Sequence, residues 1–112
     1  MAASGRLLAV AGQIGTGADG RSVAREFPDQ FAAALDNVVR VVRTAGGSAT
    51  DIIAMTVFVV DRRLYQDARP ALASLWRERL GAHYPAMTLV EVKGLLDDDA
   101  LVEIQALAVL PS

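Results

Sequence analysis

The chain has 112 residues, 53% of them hydrophobic, and a net charge of −2, and this length suits one domain over residues 1–112 that buries roughly two-thirds of its unfolded surface. Without cysteine there is neither a disulfide framework nor a thiolate metal site, and the single histidine, His83, cannot form a histidine-rich site, so no metal or other cofactor is predicted. Basic residues are scattered between Arg6 and Lys93, so nucleic acid is not a predicted partner. The longest apolar strand segment, residues 52–60, is shorter than the roughly 20 residues that span a bilayer, so a membrane is not a predicted partner either.

The first predicted elements are a strand, a turn and a helix. Residues 7–14 have strand composition, and their apolar run is too short for a signal peptide, which favours a cytoplasmic protein. The glycine-rich residues 15–20 predict a turn into residues 21–23, and therefore a hairpin. Apolar residues recur at intervals of three and four over residues 28–45, with Pro28 near the start, which predicts an amphipathic helix.

The middle of the chain predicts a buried strand and a second helix. Residues 52–60 are β-branched and apolar on both faces, which is typical of a central strand that is buried on both sides. Apolar spacing over residues 68–80 predicts the helix. Because Pro70 cannot lie deep inside a helix, the regular helix is predicted to begin near Arg69, with residues 62–67 forming a separate or distorted turn.

The last third of the chain predicts two strands on either side of an acidic turn. Residues 87–92 and 101–109 are strand-like, and residues 97–99 are three consecutive aspartates. Glu103 lies in the middle of the second of these strands. A carboxylate at such a position is costly unless it is paired, hydrogen-bonded or used, so Glu103 is the first candidate for chemistry.

This order of elements predicts an α+β fold in which both helices cover one face of the sheet. Apolar residues at alternating strand positions exceed what two helices can cover: Leu7, Ala9, Ala11, Met55, Val57, Val59, Leu101 and Leu107. Such a sheet face would aggregate if it stayed exposed. Self-association is the simplest way to bury it, so a homo-oligomer is predicted.

Six blocks of the sequence resemble the RidA (YjgF) family of enamine and imine deaminases, which is also called the endoribonuclease L-PSP family. The blocks are residues 8–14, 34–38, 56–61, 84–86, 90–92 and 101–104. The resemblance implies a chorismate-mutase-like fold with a mixed sheet. It also implies a homotrimer with three small-molecule clefts between neighbouring subunits.

The resemblance also implies site residues. In the family, water attacks the imine carbon of a small 2-imino acid and releases ammonia and a 2-oxo acid, while an arginine binds the carboxylate and a glutamate on the last strand lies near the water. Glu103 matches that glutamate, which implies a catalytic role. The alternative is a strand glutamate that is satisfied by Gln105 or by backbone groups across a subunit interface.

Met87 stands where the family has its carboxylate-binding arginine, after Pro85 and Ala86. A thioether donates no hydrogen bond, so a carboxylate ligand would lose on the order of several kcal/mol unless another cation replaces the arginine. Arg69 aligns with a polar cleft residue of the family and is a candidate replacement, although a solvated arginine at the start of a helix would look the same.

The remaining ligand-binding candidates lie on the first strand and beside Met87. They are Ala11, which replaces a family serine, Gln13 and Ala86. The changes predict a hydrolase (deaminase) for a small imine or enamine whose ligand is less anionic or more apolar than the family's. The alternative is a trimeric binding or sensing protein that has lost its chemistry. A ribonuclease is a third possibility, which the acidic net charge disfavours.

Overall fold

The computed structural model describes residues 1–21 and 23–112. In that part of the chain, four strands and two α-helices follow one another as β1 (Arg6–Ile14), α1 (Phe27–Thr44), β2 (Ile52–Val59), α2 (Arg62–Leu80), β3 (Ala86–Glu91) and β4 (Val102–Leu110). A short 3-10 helix, Ala49–Asp51, leads into β2. The strands and the first helix lie within two residues of their predicted bounds. Neither helix combines the length and apolar character that crossing a membrane requires.

The four strands form one mixed sheet in the order β1-β4-β2-β3. Strand β4 is antiparallel to both of its neighbours, β1 and β2, while β3 runs parallel to β2 at the edge of the sheet. The predicted α+β fold with a mixed sheet and two helices is therefore confirmed. The core lies between the sheet and the helices, and it contains Phe31, Leu35 and Val38 of α1 together with Val57 of β2 and Ile104 of β4.

Helix α2 is continuous from Arg62, so the prediction that it begins near Arg69 is wrong. The side chain of Asp61 accepts a hydrogen bond from the amide of Arg63 at 2.9 Å and caps the helix one residue before its start. Pro70 lies inside the helix and is exposed, as is Gln66 one turn earlier. Because the carbonyl that Pro70 leaves without a donor is on the solvent side, water can satisfy it.

The predicted hairpin after β1 is present only in reduced form among the described residues. The second arm is reduced to one isolated antiparallel bridge between Thr16 and Val23, and Ser22 lies outside the described residues. Two buried amides of α1 hold this region instead. Asn37 Nδ2 donates to Ile14 O at 3.0 Å and to Thr16 O at 3.1 Å. Gln30, which is 1% exposed, donates to the carbonyls of Ala24 and Asp99.

Only one face of the sheet is covered by the helices, and β2 shows this alternation. Met55, Val57 and Val59 are buried beneath the helices, and Leu101 packs against the core, so these four residues do not lie on the uncovered face as predicted. The other side of β2 is partly exposed at Ala54, Thr56 and Phe58. The prediction that β2 is buried on both sides is therefore wrong for the single chain, because nothing in the described chain covers its second face.

We call the uncovered side the open sheet face. Strand register places on it Leu7, Ala9, Thr56, Phe58, Val90, Glu103, Gln105 and Leu107. Leu7, Ala9, Ala11 and Leu107 are exposed as predicted. The face is mostly apolar, and Glu103 is its one carboxylate among the described strand residues.

Candidate functional site

The predicted site residues fall into two groups on opposite sides of the sheet. The first, which we call the Glu103 patch, comprises Glu103 on the open sheet face, the bulge residues Ala11 and Gly12, and Gln13, whose backbone pairs with the buried Ile104. The second lies on the helix side, between α2 and the edge strand β3, and is described below. Each group contains part of what the sequence predicted for one site.

The Glu103 patch is built by an irregularity in β1. The pairing of β1 with β4 shifts register between Val10 and Gln13, so the intervening residues bulge from the ladder. A Cβ atom on Gly12 would lie 2.8 Å from Cδ of Glu103, which shows that the bulged backbone lies directly against the carboxylate. Gln13 Nε2 donates to Ala11 O at 3.0 Å and stabilises the bulge. Only glycine allows this close approach.

The carboxylate of Glu103 is available for chemistry. Its side chain is partly buried, and among the described residues it has no hydrogen bond and no ion pair. Gln105, the partner suggested by the alternative interpretation, is exposed two residues further along the same strand and makes no bond to it. Unpaired oxygens on a mostly apolar surface can accept a proton or a hydrogen bond from a bound molecule.

The second group lines a cavity of about 250 Å³, which we call the α2–β3 cavity. Its walls are formed by apolar and aromatic side chains, namely Phe31, Tyr65, Leu72, Trp76, Tyr84 and Met87. Arg69 and Arg77 also line it. The rings of Trp76 and Tyr84 are stacked, with centroids 6.0 Å apart and an interplanar angle of 3°.

The rings beside this cavity are held by backbone contacts. Trp76 Nε1 donates to His83 O at 3.0 Å, and Nε2 of His83 lies 2.7 Å from Ile52 O. The segment between α2 and β3 is thus tied to the start of β2. Tyr84, which follows His83, nevertheless remains 64% exposed. The indole of Trp76 is therefore fixed in position, and the Tyr84 ring stacked on it presents an apolar face to solvent at the cavity.

The structure brings Met87 and Arg69 to the same cavity, and it separates both from Glu103. Met87 pairs with the buried Met55, so it lies on the helix side of β3. Glu103 pairs with Phe58 on the open sheet face. Ala86 is exposed next to Met87 and, because strand side chains alternate, points to the other side of the sheet. A single chain therefore does not assemble the predicted site.

Sequence reasoning missed several residues of these two groups. Tyr65, Trp76, Arg77 and Gly12 were not singled out as site residues. Tyr65, Arg69, Leu72 and Trp76 are spaced as one face of a helix, which is a usable signal. Pro70 hid this signal, because the helix was expected to begin only at Arg69.

A larger groove of about 570 Å³ lies between α1 and α2 and is lined mainly by charged side chains. Arg79 Nε binds Asp36 Oδ1 at 2.7 Å across the groove, and the carboxylate of Asp36 is about half exposed. An exposed ion pair of this kind contributes little. Val39 is the one apolar side chain in its lining, and both of its carboxylates, Asp36 and Glu78, are paired with Arg79, so the groove is not a candidate for proton transfer.

The fold and the two groups of residues define a class of small α+β proteins in which a mixed sheet carries helices on one face and a polar patch on the other. The chain belongs to the endoribonuclease L-PSP family, also known as the RidA or YjgF family, whose model matches residues 1–110. The resemblance inferred from the sequence is thereby confirmed.

Relatives and solved structures agree with this assignment. The chain is 32% identical over 105 residues to the RutC family protein of Haemophilus influenzae and to the 2-iminobutanoate/2-iminopropanoate deaminase of Escherichia coli K12, covering 94% of this chain and 80% of each relative. The crystal structure of the Escherichia coli YjgF gene product superposes with a TM-score of 0.83 at 31% identity. Escherichia coli TdcF with bound serine superposes with a TM-score of 0.82 at 30% identity. Both alignments cover 96% of this chain and 84% of the other.

Proposed function

We propose that this protein is a deaminase of the RidA type, which hydrolyses a small 2-imino acid, or the enamine in equilibrium with it, to a 2-oxo acid and ammonia. The proposal is supported by relatives at 32% identity that are named as 2-imino acid deaminases. The observation that carries it is Glu103, a carboxylate without a described partner on an apolar sheet face and directly against the backbone of Gly12.

The reaction needs one group that moves protons. Glu103 takes a proton from water as the oxygen attacks the imine carbon, and it returns a proton to the nitrogen. The carbon–nitrogen bond then breaks, the oxygen becomes the carbonyl of the 2-oxo acid, and the nitrogen leaves as ammonia. One water is consumed for each imine, and no electrons are exchanged. The reaction therefore requires no redox cofactor.

The two groups of residues form a complete site only between copies of the chain. Glu103 faces away from the α2–β3 cavity within one chain. A homotrimer that buries the open sheet face would cover the apolar residues Leu7, Val90 and Leu107 and would place the Glu103 patch of one copy beside an edge strand of the next. This assembly supports a cleft between subunits for a small ligand.

A second function is favoured by one observation, which is Met87. The residue lies at the cavity and supplies no donor for a carboxylate. A protein that binds a small ligand without turning it over would be consistent with that loss. It predicts saturable ligand binding with no release of ammonia.

The decisive experiment compares Glu103→Gln with Asp98→Asn. Ammonia release above the uncatalysed rate is measured on freshly generated 2-iminopropionate and on a bulkier 2-imino acid. Glu103→Gln should lower turnover by about 100-fold or more, because a carboxamide does not accept the proton. Asp98 lies in the exposed acidic turn, so its matched change should leave turnover unaltered. Full turnover by Glu103→Gln would contradict the role of Glu103, and binding by the wild type without any product would favour the second function.

A further inference from the structure

We propose that Arg69 of helix α2 binds the substrate carboxylate in the α2–β3 cavity, and that this cavity selects 2-imino acids with an aromatic or branched apolar side chain. The inference rests on the proposed function, and it specifies the substrate class of that site. It assigns to a helix residue the role that the family gives to an arginine on the edge strand.

The charged side chains that line the cavity are both positive. Arg69 and Arg77 line it, and no carboxylate does so among the described residues. Neither guanidinium has an ion-pair or side-chain hydrogen-bond partner in the described part of the chain; the ion pairs there belong to Arg79. Unpaired guanidinium groups beside apolar walls attract a carboxylate and can bind it through two parallel hydrogen bonds.

Arg69 and Arg77 project in different directions from helix α2. At 3.6 residues per turn, Arg69 lies only about 20° around the helix axis from Trp76, whereas Arg77 lies about 100° from it. Trp76 and Leu72 are the buried residues of α2 that line the cavity. Arg69 therefore projects from the same face of the helix as the cavity wall, while Arg77 projects from its flank.

The cavity leaves part of its apolar surface exposed. Tyr84 is 64% exposed and Met87 is 39% exposed, although both line the cavity. An aromatic or branched group of a ligand would cover these side chains and contact the stacked Trp76–Tyr84 rings. The flexible thioether of Met87 adapts to an apolar group, where an arginine would present a charge. A methyl group, as in 2-iminopropionate, covers little of this surface.

Trp76 makes direct binding measurable without turnover. It is the only tryptophan of the chain and lies in the cavity wall, so its emission reports on ligands there. The assay titrates the full-length protein with three probes, namely 3-phenylpropionate, 3-phenylpropionamide and propionate. We expect saturable binding of 3-phenylpropionate. The amide lacks the charge and propionate lacks the ring, so each should bind at least about 10-fold more weakly.

Three substitutions then test whether Arg69 binds the carboxylate of the probe. Arg69→Met should weaken binding of 3-phenylpropionate by about 10-fold to 100-fold, because it removes a charge-assisted pair while keeping an apolar stem. Arg69→Lys should retain part of the affinity. Arg63→Met, an exposed arginine of the same helix outside the cavity, should bind like the wild type. Both changed residues, Arg63 and Arg69, are exposed, so folding should be unaffected.

Several results would overturn the inference. They are equal affinity for the acid and its amide, equal affinity for propionate and 3-phenylpropionate, no binding by the wild type, or loss of binding with Arg77→Met but not with Arg69→Met. Ammonia release separates this inference from the proposed function. Turnover of 2-iminopropionate without binding of 3-phenylpropionate overturns only the ligand class, whereas binding that depends on Arg69 without any turnover overturns only the deaminase.

Discussion

Two glycines, Gly12 and Gly15, have no room for a side chain, and the atoms that exclude it differ. A Cβ on Gly12 would meet the end of the Glu103 side chain, with Cδ at 2.8 Å. A Cβ on Gly15 would meet the backbone of α1, with Cα and O of Gln30 both at 2.7 Å. A side-chain end can rotate away, whereas a helix backbone cannot. A side chain at Gly12 would therefore move the Glu103 carboxylate, whereas a side chain at Gly15 would disturb the packing of β1 against α1.

We predict that Gly12→Ala lowers ammonia release by at least about 10-fold, because the methyl group displaces the carboxylate that moves the proton. Its free energy of unfolding should change by less than about 1 kcal/mol, since Glu103 can rotate. Gly15→Ala is the matched control and should lower the free energy of unfolding by more. Urea unfolding and the ammonia assay measure the two effects. Unchanged turnover in Gly12→Ala would contradict the position assigned to Glu103.

Helix α2 shows how one residue misled the interpretation of the sequence. Pro70 predicted a helix that began near Arg69, yet the helix starts at Arg62 with Asp61 as its cap. The loss of one hydrogen bond is tolerated because the orphaned carbonyl of Gln66 faces solvent. Local sequence rules give the intrinsic preference of proline, but they do not show whether the carbonyl that it leaves without a donor is exposed to solvent or buried.

We predict that Pro70→Ala raises the free energy of unfolding by about 1–3 kcal/mol, because alanine restores the amide donor to Gln66 in the middle of the helix. Thermal and urea unfolding monitored by circular dichroism would measure the gain. Ala71→Gly, at the next exposed position of α2, is the control and should have the opposite sign. A less stable Pro70→Ala protein would show that the ring makes contacts that alanine loses.

Periodicity in the sequence was sufficient for α1 and for the existence of all four strands, because amphipathic patterns record which side of an element is buried. It did not predict which face of β2 lies beneath the helices, since Ile52–Val59 has apolar residues on both sides. Pairing with β4 decides which of its alternate residues face the helices. The same limit applies to the site. Glu103 and Met87 were both singled out, but only the register of the folded sheet shows that they lie on opposite faces.

At the scale of the whole molecule, the main feature is that nothing in the described chain covers the open sheet face. Leu7 is 68% exposed and Leu107 is 37% exposed, and both lie on this face. An apolar sheet face of this kind favours association with further copies of the chain. In the proposed trimer, function and assembly are linked, because the copy that covers the face would also bring the other half of the proposed site.

We predict that the wild type sediments as a trimer and that Leu107→Lys shifts it towards the monomer, because a lysine cannot be buried in an apolar interface without a partner. Leu96→Lys is the matched control, since Leu96 is fully exposed in the loop before β4. Sedimentation velocity measures the shift. Ammonia release should fall together with the trimer in Leu107→Lys and persist in Leu96→Lys. A monomeric wild type that is active would refute the shared site.

The strand order affects how the chain folds during its synthesis. Strand β4 is the last of the four strands to leave the ribosome, yet it lies inside the sheet and is the only neighbour of β1 among the described strands. Until β4 is available, β1 has no partner, and the edge of β2 that will receive β4 is unpaired. Early folding is therefore limited to α1, α2 and the parallel β2–β3 pair, and the sheet closes in one late, non-local step. Nascent chains of this protein should consequently depend on protection from aggregation until their final strand has been made.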